Sequence, residues 1–162
     1  MTKLSKALGE KYQAKRTNIF TRSFELGGHT FKVRIPFVAE SDQIYQKVNN
    51  PNEAHIERIY QQLTEPLMAL KDQATPDAEI EYQEKDIVVK GRSMREAAKN
   101  KAMTENRVVE YIKLLVPEQP DMNLDDLTYE EVEAEFPWTV QIALIEKISE
   151  AISPGYKETR GN

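Results

Sequence analysis

Cysteine is absent from the 162 residues, and only two histidines are present. Disulfide frameworks, thiolate metal sites and cysteine nucleophiles are therefore excluded, and imidazole chemistry is nearly so. No run of about 18 apolar residues occurs, and Met1-Thr-Lys-Leu-Ser-Lys-Ala-Leu8 lacks the apolar core of a signal peptide, so a chain that is neither exported nor membrane-spanning is expected. Glycine numbers only six, with no Walker or dinucleotide fingerprint among them. What is present suits a folded domain: 40% hydrophobic and 30% charged residues supply a core and a solvated surface. The net charge of -5 excludes a global positive field that would attract nucleic acid or anionic membrane. That total conceals a gradient. Residues 1–40 carry eight basic and three acidic side chains, whereas residues 117–162 carry three basic and eleven acidic ones. Such asymmetry can orient a chain in an assembly.

The pattern predicts an α+β domain, predominantly helical, with an N-terminal β-hairpin over 19–38 and a second short hairpin. Gly27-Gly28 separates two alternating runs and supplies the positive φ of a two-residue turn. That register sets Phe24 against Phe31 and Phe20 against Ile35, and makes one face apolar. Two strands are marginal alone, so this face needs helices or another chain. Helices are predicted at about 40–49, 51–72, 94–115, 129–135 and 137–152. Asn50, Pro51 and Glu53 read as a capping box opening the second, and Pro66 as a kink or a split near Thr64. Ala74 to Asp77 reads as a turn, and Glu79–Gln83 with Asp86–Lys90 as the weaker hairpin. Ser93 and Glu96, then Thr128 and Glu131, read as further capping boxes. One domain over 17–155 is expected, flanked by a basic segment 1–16 and a flexible tail 156–162.

Candidate chemistry is sparse. His29 and His55 have no acidic residue at a metal-ligand spacing, and no metal or cofactor is expected. The carboxylates of 125–135 lie in a polar, charge-dense stretch rather than an apolar cleft, which reads as solvated surface and not as an acid/base pair. Arg92, Arg95, Lys99, Lys101 and Arg107 form the one basic helix, the basis of an alternative reading as a nucleic-acid-associated regulator of a phage or bacterium. Glu96, Glu105 and Glu110 dilute it. Phe136-Pro-Trp138 holds the only tryptophan, a staple, a core plug or a partner anchor.

Two stretches, with a helical middle between them, carry a resemblance. One is Phe24-Glu-Leu-Gly-Gly-His-Thr-Phe-Lys-Val-Arg-Ile-Pro36, followed by a helix from near Glu40; the other runs Phe136-Pro-Trp-Thr-Val-Gln-Ile-Ala-Leu-Ile-Glu-Lys-Ile-Ser-Glu-Ala-Ile-Ser-Pro-Gly-Tyr156. In these the chain resembles the tail assembly chaperones of long-tailed bacteriophages and prophages. The resemblance implies a non-enzymatic binding protein of the bacterial host cytoplasm, absent from the mature virion. Its partner would be the tape measure protein, kept soluble until tail-tube subunits assemble around it, with homo-oligomerisation a further expectation and no membrane partner. Phe136, Trp138 and Tyr156 are the expected contact residues.

Overall fold

The computed structural model describes residues 1–72 and 79–153. The fold is α+β and mostly helical, with six helices, an N-terminal antiparallel hairpin and a small three-stranded sheet among the described residues. The expected turn at Ala74–Asp77 and the tail from Tyr156 lie outside the described residues. The chain divides into two compact units, Met1–Asp42 with Val108–Asn162 and Gln43–Arg107, and the division falls inside two helices.

The first unit opens with helix α1 (Lys3–Ile19), capped by Thr2, whose hydroxyl accepts the Ser5 N–H at 3.0 Å. This helix was not expected from a segment so poor in apolar residues. Gly9, at φ 85°, kinks it, and Gln13 Nε2 reaches back across the kink to Ser5 O. Strands β1 (Thr21–Leu26) and β2 (His29–Arg34) then pair in the predicted register, with Phe24 stacked on Phe31 at 5.3 Å and Gly27-Gly28 at φ 60° and 81°. Ile35 N donates to Phe20 O at 2.7 Å, which extends the pairing as expected.

The hairpin's apolar face packs on the C-terminal helix α6 (Trp138–Ile152), where Leu144 and Ile148 are fully buried, as is Val33 of β2. Residues 114–116 line the other edge of β2 through Arg34 N–Leu114 O and Val116 N–Lys32 O, both 2.8 Å. This corrects the expected helix over 94–115. Helix α4 (Met94–Ile112) stops three residues early because Leu114-Leu-Val116 finds strand partners, and the residue before Pro117 favours extended backbone.

The second unit packs helix α3 (Glu53–Leu70) on α4 through Ile56, Ile59, Tyr60, Ala98 and Ala102. Helix α2 (Val38–Asn49) leads into it. Asn52, not Asn50, caps α3: its Oδ1 accepts the His55 N–H at 2.7 Å, while the Asn50 amide donates back to Gln46 O and closes α2. Pro66 does not split α3. The carbonyl it leaves unbonded belongs to Gln62, and both residues are exposed, so water can replace the lost bond. The weaker hairpin is present as β3 (Ile80–Tyr82) and β4 (Ile87–Val89), and a turn at Lys90-Gly91 adds β5 (Arg92–Ser93), giving three strands.

Candidate functional site

The aromatic pair sits at the corner between α6 and the short helix α5 (Tyr129–Glu135). Thr128 and Glu131 form the expected capping box, the Thr128 hydroxyl accepting the Glu131 N–H at 3.3 Å and the Glu131 carboxylate accepting the Thr128 N–H at 3.2 Å. Val132 is buried and anchors α5. Phe136 closes that helix with its N–H on Val132 O, and Pro137, whose fixed φ suits a helix start, passes the chain into α6.

Gln141 locks the corner. It is 2% exposed; its Nε2 donates to Phe136 O at 2.8 Å and its Oε1 accepts from the Tyr129 hydroxyl at 3.1 Å. The bonds satisfy an otherwise costly buried amide and fix the backbone that carries Phe136. Sequence reasoning missed Gln141, whose position among the apolar residues of α6 was the available signal.

On this support Phe136 is half-buried, and Trp138 remains 51% exposed, so it is no core plug. Tyr156 lies outside the described residues. A second apolar surface, also missed, lies at the open end of the hairpin. There Phe37 is 60% exposed with its ring 5.4 Å from that of Phe20, beside exposed Ile19 and Val38.

A polar cluster in the second unit forms a clasp. Asp86 accepts from Ser93 Oγ at 2.5 Å, from Ile87 N at 2.8 Å and from Arg95 N at 3.1 Å. Burial pushes the Asp86 carboxyl up, but these bonds and the nearby guanidinium outweigh it and hold it below the usual aspartate range. Arg95 bonds Glu57 at 2.7 Å and Lys85 O, and its guanidinium lies 3.9 Å from the centre of the Tyr60 ring. The bond from Arg95, helped by Gln61, lowers the Glu57 carboxyl, while burial raises the Tyr60 hydroxyl. Ser93 also accepts the Glu96 N–H, the hydroxyl half of the predicted cap.

This clasp bears on the basic helix. Arg95 is engaged within the fold, whereas Arg92, Lys99 and Lys101 are exposed. His55 faces Glu105 at 3.4 Å, and no group of three or more metal-capable side chains occurs among the described residues. No helix among them is long and apolar enough to cross a membrane. No family model matches the chain, nor does any curated protein or solved structure.

Proposed function

We propose that the protein is a tail assembly chaperone that binds a tape measure protein. It keeps that long helical partner soluble and helps tail-tube subunits assemble around it, working in the bacterial host cytoplasm and leaving no copy in the virion. It acts by binding and needs no cofactor.

Trp138 carries the reading. The only tryptophan of the chain is half exposed on a corner made rigid by Gln141 and the Thr128 capping box, with Phe136 beside it. Large aromatic side chains held rigidly at the surface are typical anchors for a partner, since they bury much apolar area at little entropic cost. A partner helix presenting an apolar stripe fits that chemistry. The engagement of Arg95 within the fold weighs against the nucleic-acid reading.

The test is Trp138→Ala. We expect the variant to lose retention of a coexpressed tape measure segment by more than about tenfold, with native circular dichroism, because hot-spot truncation costs about 2 kcal/mol or more. Loss of helicity together with binding would instead assign Trp138 to the fold.

A further inference from the structure

Among the described residues, helix α1 has almost no partner. Of its side chains only that of Ser5 is buried, its main neighbour is β1, and Leu4, Leu8 and Ile19 are exposed. Leu4 and Leu8, four residues apart, share one helix face. Gly9 divides the helix into two short pieces, and helices under about 12 residues are marginal in water without tertiary packing. Five of its residues are basic and one acidic.

The same unit carries the opposite charge. Residues 114–146 contain nine acidic side chains and no Lys, Arg or His. Eight of these carboxylates fall between Glu118 and Glu135, and every one is exposed. Beside them in sequence stands the exposed side chain of Met122. Among the described residues, neither the α1 cations nor these eight carboxylates take part in an ion pair. Each stretch therefore offers exposed apolar side chains together with the charge that the other lacks.

We infer that α1 docks on the acidic surface of a second copy of this chain, head to tail. The occupant is a second copy because one sequence supplies both halves of the complementarity. A contact between two different surfaces leaves one of each free, so it either closes a ring or extends a filament. With a net charge of -5 on each copy, association depends on these local opposite charges and weakens as salt screens them. This contact does not depend on the tape measure reading.

Sedimentation velocity on the full chain tests it. Wild-type protein should sediment faster as its concentration rises, with the apparent dissociation constant increasing roughly tenfold or more between about 50 mM and about 500 mM NaCl. The set Lys6→Glu, Lys11→Glu, Lys15→Glu should be monomeric, as should the set Asp121→Lys, Asp126→Lys, Glu133→Lys. Mixing the two sets restores opposite charges across the contact and should restore association. A monomeric wild type overturns the inference, including one that binds a nucleic-acid duplex through α1. So does association of either set at wild-type strength, or a mixture that stays monomeric. Should either set lose its helical circular dichroism, the salt dependence of the wild type decides: association unaffected or strengthened by NaCl overturns the proposal.

Discussion

A single carboxylate, Asp86, joins the start of β4 to Ser93 in β5 and to the first turn of α4. The bonds stabilise the charged form, so the folded carboxyl titrates below its unfolded counterpart. Its contribution is therefore complete above the ordinary aspartate range near 4 and drains away as pH falls through the lower, folded value. Replacing Asp86 with Asn keeps the shape and removes the charge. In urea denaturation at about pH 7 the variant should be less stable by about 1–3 kcal/mol, and the gap should narrow steadily below about pH 4. A gap that stays constant down to about pH 2 would show that the charge contributes nothing. At the same scale, the value of Trp138 lies in what the fold leaves uncovered, a property that no spacing rule reports.

Among the elements, the hairpin depends on Gly27 and Gly28, both in the left-handed region. No atom lies within 4 Å of where a Gly28 side chain would begin, so substitution there costs backbone strain alone. Gly28→Ala should lower stability by about 1 kcal/mol, read as a lower urea midpoint at unchanged slope. This turn, like the Thr128–Glu131 cap, was legible because its cause lies within four residues. Asn52 was not, because Asn50-Pro51-Asn52-Glu53 offers two plausible caps and only the backbone path into α3 chooses between them. The end of α4 was equally hidden: Leu115 suits a helix, and the edge of β2, some eighty residues earlier, draws it into a strand pairing. Helix α1 escaped notice because its apolar residues make no core stripe. Gln141 escaped for the opposite reason, a polar side chain buried among apolar ones whose partners Tyr129 and Phe136 come from the preceding helix.

Across the whole molecule, the fold class followed from composition and period. The gradient of charge was visible in a count, but its pairing with exposed apolar side chains needed coordinates. Two kinds of surface emerge, the rigid Phe136–Trp138 corner proposed for the tape measure protein and the complementary basic and acidic poles inferred to join copies of the chain. The most direct measurement is the soluble fraction of a tape measure polypeptide coexpressed with this protein in bacteria. The chaperone reading predicts that the polypeptide moves from the pellet to the supernatant and co-purifies with the wild type, and that Trp138→Ala returns it to the pellet. A polypeptide that stays equally insoluble with and without the wild-type chain would contradict that reading.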